Sequence, residues 1–113
     1  MKQVQVVFDG LAIRDTAIHY PDETVDWVNG FVIDKLTFGV INELNQDVSI
    51  QPIGRVGAAK ANLGSASTIS ANSEGIVNLN LQNYWAPYIS VSAKCTVSPT
   101  SGKLTVYCVS REK

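Results

Sequence analysis

The chain has 113 residues and a mass of 12.2 kDa, so we predict one domain spanning residues 1–113. Apolar residues make up 45% of the sequence and charged residues 17%, a balance that favours a packed core over disorder. Nine basic and ten acidic side chains give a net charge of −1. That charge argues against a nucleic-acid-binding protein, because such proteins need a basic surface.

The sequence begins MKQVQVVF, which lacks the apolar run of a signal peptide. No segment approaches the ~20 consecutive apolar residues that span a bilayer as a helix. We therefore expect a protein of the cytoplasm or of a virion.

Valine, isoleucine and threonine account for 30 of the 113 residues, and this density of β-branched side chains favours strands. The first predicted strand places Val4, Val6 and Phe8 on one face. Asp9-Gly10 predicts a turn, after which residues 11–14 pair back.

Residues 15–30 break the alternation, and we predict a long loop there with one short strand near Trp27. The loop holds the single histidine among several acidic residues, a set of side chains that could bind a hard cation such as calcium. The spacing does not match an EF-hand, and ordinary turn composition explains the cluster equally well. We predict neither metal nor cofactor; the only candidate ligands would be Asp15, His19, Asp22 and Asp26.

The next apolar run alternates at Leu36, Phe38 and Val40, and alternation resumes at residues 48–50 after a turn over residues 42–46. This pattern predicts a hairpin. Pro52 has no N–H to donate, so the second strand should end there or lie on a sheet edge. Three alanines then favour at most one short helical turn near residues 58–63, with Gly64 as its cap.

The remaining sequence predicts more strands: a short one over residues 68–70, then three alternating runs over 77–81, 89–97 and 104–108. About seven to nine short strands with regular turns are typical of a β-sandwich. We therefore predict an all-β fold, a single antiparallel β-sandwich of immunoglobulin-like or jelly-roll topology.

Cys95 and Cys108 lie on the last two predicted strands. If Val97 faces Val106 across a hairpin, the two cysteines face each other, with Cα atoms ~4.5 Å apart if the pair is non-hydrogen-bonded. A Cys95–Cys108 disulfide could then form. We favour free thiols, because no secretion signal points to an oxidising compartment.

Catalytic motifs are missing from the sequence. A Ser-His-Asp or Cys-His site would have to use His19, but there is no G-x-S-x-G motif and both cysteines are predicted to point inward. Neither a P-loop nor a G-x-G-x-x-G motif is present. We predict that the protein is not an enzyme.

Aromatic residues are the most suggestive candidates for binding. Tyr84, Trp85 and Tyr88 cluster where a strand begins, and Trp27 lies in the acidic loop. Such rings can stack on a sugar or fill a partner's pocket, or they can close the end of the core. We take these four residues as the candidate interface or ligand site.

Charge also differs between the two halves of the chain, with a net charge of −5 over residues 1–50 and +4 over residues 51–113. Two faces of opposite sign would favour head-to-tail self-association. Interleaving of strands from both halves would remove this asymmetry.

Three segments, residues 42–48 (NELNQDV), 85–88 (WAPY) and 99–107 (PTSGKLTVY), together resemble small uncharacterised β-sandwich domains of bacteria, thermophiles and their phages. The resemblance covers residues 36–109. It implies a sandwich fold in a virion or surface context, and it implies no catalytic residues.

Two functions follow as hypotheses. The first is a non-enzymatic structural or assembly protein that self-associates or decorates a larger particle such as a phage virion. The second is a carbohydrate- or ligand-binding accessory module that uses the aromatic residues.

Overall fold

Two antiparallel sheets make up the computed structural model, which describes residues 4–22 and 27–113. Its strands are β1 (Val4–Leu11), β2 (Val28–Asn29), β3 (Ile33–Asn42), β4 (Val48–Val56), β5 (Ala59–Asn62), β6 (Ser67–Ile69), β7 (Ser73–Leu79), β8 (Tyr88–Lys94) and β9 (Leu104–Glu112). Sheet A has the order β1-β9-β3-β7. Sheet B has the order β2-β8-β4-β5, with β6 also paired to β4.

The pairings are nested along the chain: β1 with β9, β2 with β8, β3 with β7, and β4 with both β5 and β6. This nesting is that of a jelly roll, in which a long hairpin is rolled into two facing sheets. The predicted antiparallel β-sandwich is confirmed, and of the two predicted topologies the chain adopts the jelly roll.

Two predicted hairpins are wrong. β3 and β4 lie in different sheets, and so do β8 and β9. The segments between them therefore cross from sheet to sheet, and they lie side by side, because Glu43 N–H donates to the Lys103 carbonyl at 3.0 Å. Alternation along a strand shows which face is buried but not which sheet the strand joins.

Asn42 fixes the first of these crossings. Its buried Nδ2 lies 3.0–3.1 Å from the backbone carbonyls of Gln46, Ile69 and Ser70, and its two hydrogens serve these three acceptors, one of them shared. Its Oδ1 accepts a hydrogen bond from Leu44 N–H at 3.1 Å. One amide side chain thus joins the end of β3 in sheet A to β6 in sheet B.

The predicted helical turn near residues 58–63 is also wrong, because β5 occupies that stretch. Val56 pairs with Ala59 across a two-residue turn, and Gly57 has a φ of +58° at its first position. A glycine there suits the tight turns that join hairpin strands. The alanines at 59 and 61 lie on a strand, so hairpin geometry overrides their helix propensity.

Two further local predictions are corrected. Gly10, with a φ of +65°, lies in a bulge of β1 and does not turn the chain back, since β1 continues to Leu11. Pro52 lies inside β4, where the neighbouring strand changes from β6 to β5. Its carbonyl accepts from Leu63 N–H at 2.9 Å, so its nitrogen faces the same junction and no ladder bond is lost.

The core lies between the sheets and includes Phe38, Val106 and Ile89. Inward-facing residues agree with the alternation on β3, β7 and β9. Along β8 the pattern fails, because Ser90 and Ser92 are buried on the outer face of sheet B. Both sheets combine strands from the two halves of the chain, so the opposite net charges do not separate onto two sheets.

Within the described residues, the structure contains no helix long and apolar enough to cross a membrane.

Candidate interaction surfaces

Four predicted binding residues, Trp27, Tyr84, Trp85 and Tyr88, are placed near one end of sheet B. β4 ends there and β8 begins there. Their surroundings differ sharply, and this difference decides which of them a partner could touch.

Trp27 is buried, with 8% of its surface exposed. The Arg55 guanidinium lies 4.9 Å from the ring centroid of Trp27 and 4.9 Å from that of Tyr88. A cation close to the faces of two rings is attracted by both π-systems. Trp27 therefore covers the outer face of sheet B and offers a partner little of its ring.

Trp85 is 46% exposed and held in place. Its Nε1 donates to the Gly30 carbonyl at 2.8 Å, and its ring meets Phe31 edge-on with centroids 5.1 Å apart. Only glycine fits at position 30, because a Cβ there would lie 2.1 Å from the carbonyl oxygen of Ala86, the residue that follows Trp85. Tyr84 and Tyr88 are exposed to a similar degree, so Tyr84, Trp85 and Tyr88 form the accessible part of the predicted site and Trp27 the buried part.

Beside Trp85 lies a cavity of about 250 Å³, bounded by the β4–β5 hairpin. Its lining is mainly apolar: Gly54, Val56, Ala59, Ala61, Leu63, Ala86 and Trp85. The cavity is small for a drug-sized ligand, which occupies sites of about 300–1,000 Å³. It suits one apolar side chain or the face of one sugar ring.

The outer face of sheet A is a surface that the sequence interpretation missed. Exposed apolar side chains cover it: Val4, Val6, Ile76, Tyr107 and Val109. The prediction that Val4, Val6 and Phe8 share one face is wrong, because the register shifts between Val6 and Phe8, so Phe8 is buried while Val4 and Val6 are exposed. A hollow of about 580 Å³ lies between Ile76 and Tyr107, with Gly39 at its floor. The runs VQVVF in β1 and VYCV in β9 carried the signal, because strands apolar on both faces are typical of sheets covered on both sides.

A cavity of about 440 Å³ with both polar and apolar walls lies at one end of the β3–β7 pair. It is lined by Asp34, Lys35, Thr37, Asn78, Asn80 and Gln82, among others. Arg111 forms a two-pronged pair with Asp34, at 3.1 Å for each N–O contact, and this hydrogen bonding holds the pKa of Asp34 below its usual value. Asp34 therefore stays ionised and occupied by its partner.

The candidate cation ligands that the structure describes, Asp15, His19 and Asp22, form no metal-binding cluster. His19 Nε2 contacts Asp15 Oδ1 at 2.8 Å, and this hydrogen bond lowers the pKa of Asp15. Among the described residues, no three histidine, cysteine or acidic side chains come close enough to hold a metal. Asp26 lies outside the described residues.

Cys95 and Cys108 are free and buried. The predicted apposition of these two residues is wrong, because Cys108 pairs in sheet A with Gln5 and Phe38, and β8, which precedes Cys95, belongs to sheet B. Val97, expected to face Val106, lies exposed in the crossing segment. Burial raises the pKa of both thiols, and that of Cys108 rises to about 12.

The raised pKa of Cys108 predicts a loss of stability at alkaline pH. The unfolded thiol ionises from about pH 8.5, whereas the folded one keeps its proton until about pH 12. Because the folded state then binds more protons, the free energy of unfolding should fall as pH rises through this window. Urea unfolding from pH 7 to pH 11 should show a steeper fall for the natural chain than for Cys108→Ala, and equal slopes would contradict the assignment.

No protein-family model matches the chain, and no curated protein matches it significantly. Among solved structures, the PBSX exported protein XepA has a TM-score of 0.63 at 9% identity over 97% of this chain, which spans 37% of the length of XepA. PirA has a TM-score of 0.52 at 3% identity, covering 98% of this chain and 95% of PirA. The Tobacco streak virus coat protein dimer has a TM-score of 0.51 at 11% identity, covering 98% of this chain and 86% of the coat protein chain. At these identities, what the chain shares with the three proteins is a fold.

Proposed function

We propose that this chain is a non-enzymatic structural protein, a small β-sandwich that self-associates as part of a larger particle such as a phage virion. One observation carries the proposal: the outer face of sheet A presents exposed valine, isoleucine and tyrosine side chains across neighbouring strands. Contiguous apolar surface on a protein is typical of an interaction site, because leaving it in water is costly.

The comparisons support the proposal through the fold. XepA is a PBSX exported protein, and the Tobacco streak virus protein is a coat protein dimer. A jelly roll is an architecture that viral capsid domains use. On this proposal the chain resides in the virion, or in the cytoplasm before assembly.

Self-association predicts a solution mass that depends on concentration. Light scattering after size exclusion, over a hundredfold range of concentration, should show a discrete oligomer that dissociates on dilution. The oligomer should persist at high salt, because apolar burial is not screened whereas exposed charge pairs are. A monomeric mass at every concentration would contradict the proposal.

A second candidate function is the binding of carbohydrate at Tyr84 and Trp85. The specific observation is that the Trp85 ring is half-exposed and fixed by Gly30 beside a small cavity, an arrangement suited to stacking on a sugar face. Because Trp27 is buried, a change in tryptophan fluorescence on adding a glycan should come from Trp85 and disappear in Trp85→Phe. A flat titration across a broad glycan panel would remove this candidate.

A further inference from the structure

We propose that two copies of this chain stack the outer faces of sheet A across a two-fold axis perpendicular to the strands, with Glu74 of each copy beside Lys35 of the other. This inference rests on the proposed function, because it names the surface and the partner through which the chain self-associates.

The strand register defines the face row by row. The two central rows are largely apolar. The two outer rows lie towards opposite ends of the strands, and each of them carries charged side chains. In the order β1, β9, β3, β7, the central rows are Val6–Tyr107–Gly39–Ile76 and Val4–Val109–Thr37–Asn78. One outer row holds Thr105, Ile41 and Glu74, and the opposite one holds Arg111 and Lys35.

The size of the face favours a second copy stacked over all of it. Four strands at ~4.8 Å spacing and six residues of strand at ~3.4 Å each give about 400 Å² of projected area. A standard interface buries about 800 Å² of accessible surface on each partner, and accessible surface is larger than projected area because side chains make the face uneven. A stable dimer therefore needs nearly the whole face, as sheet-on-sheet packing provides.

The charges then select the direction of the two-fold axis. An axis parallel to the strands would stack β9 on β3 and place Arg111 of one copy over Lys35 of the other, two positive charges of which only Arg111 has an acidic partner, Asp34. An axis perpendicular to the strands exchanges the two ends of the sheet, so the row of Glu74 lies over the row of Lys35. Glu74 then lies about one strand spacing, ~4.8 Å in the plane, from the partner's Lys35, within reach of two flexible side chains.

The hollow at Gly39 fits the same arrangement. Nothing lies within 4 Å of a Cβ built on Gly39, so the hollow between Ile76 and Tyr107 is open. The perpendicular axis brings Thr37 of the second copy over Gly39. A small β-branched side chain entering this hollow would complete the packing of the two central rows.

Ile76→Lys tests the surface. Ile76 is 71% exposed, so the folded chain tolerates lysine there, whereas a lysine in the stacked interface would be desolvated without a partner. The dimer dissociation constant, measured by sedimentation velocity, should rise at least about tenfold. The matched control is Val97→Lys, at an exposed valine outside both sheets, which should leave the constant unchanged.

Charge reversal tests the orientation. Glu74→Lys and Lys35→Glu should each weaken the dimer, and the double variant should restore it. Within one copy the two residues lie in opposite outer rows, so they can pair only with the other copy.

If Ile76→Lys forms the natural oligomer, the proposed face is wrong while self-association stands. If the double variant is not restored, the proposed axis is wrong. A natural chain that is monomeric throughout would overturn both this inference and the proposed function.

Discussion

Replacing Asn42 with alanine is expected to destabilise the fold by about 3–5 kcal/mol, because several buried backbone groups lose their partner together. The carbonyls of Ile69 and Ser70 and the N–H of Leu44 would each remain in place without their amide partner. Since Asn42 joins sheet A to sheet B, its loss should also loosen the crossing between β3 and β4. Thermal or urea unfolding of the two proteins would give the difference directly.

Asn45→Ala is the matched control for this prediction. Asn45 lies three residues away on the same segment, and its amide exchanges two hydrogen bonds with Thr100 in an exposed setting, at 2.7 and 3.0 Å. Its loss should cost about 1 kcal/mol, since water replaces the partner. Equal losses of stability in the two variants would show that burial at Asn42 is not the cause.

Replacing Gly102 with alanine is expected to cost at least about 3 kcal/mol, through a positive φ and a steric clash acting together. Gly102 has a φ of +89°, and a Cβ there would lie 2.0 Å from the Glu43 carbonyl oxygen. That oxygen belongs to the neighbouring crossing segment, so relief of the clash would require the two segments to move apart. Urea unfolding of the purified variant measures the cost.

Gly57→Ala is the control that measures the cost of a positive φ without a steric clash. Gly57 also has a positive φ, +58°, but nothing lies within 4 Å of a Cβ built there. Its replacement should therefore cost about 1–2 kcal/mol, the backbone term alone. A loss at Gly57 as large as that at Gly102 would mean that close approach to Glu43 contributes nothing.

Alternation of apolar and polar residues predicted most of the strands and the core. It succeeded at Phe38, Val77 and Val106, where one side chain in two points inward. It could not assign strands to sheets, so the segments after Asn42 and after Lys94 were interpreted as hairpin turns when they cross between sheets. A hairpin turn and a crossing can contain the same asparagine, glycine and proline residues, because both need only a reversal of chain direction.

The candidate surfaces were predictable only in part. The position of the half-exposed Trp85 ring is fixed by its hydrogen bond to Gly30, a contact between residues 55 positions apart that no local pattern encodes. Trp27 packs against the Arg55 guanidinium, and this contact depends on the nested strand order. The outer face of sheet A was overlooked because Tyr107 and Val109 alternate with buried Val106 and Cys108, and the pattern was interpreted from its inward half alone.

The nested pairing also has consequences for how the chain acquires its structure. β4 with β5 is the only pair of strands adjacent in the sequence that also pair in the described sheets. Every other pairing closes a longer loop. β9 lies between β1 and β3 in sheet A, so these two strands cannot be joined into one sheet until β9 has been made. Such topologies fold slowly, because the entropy of closing long loops is lost before the contacts form. During synthesis, β1 would wait unpaired for residues 104–112, while β3 would have only β7 beside it, and a chaperone or rapid assembly would matter most in that interval.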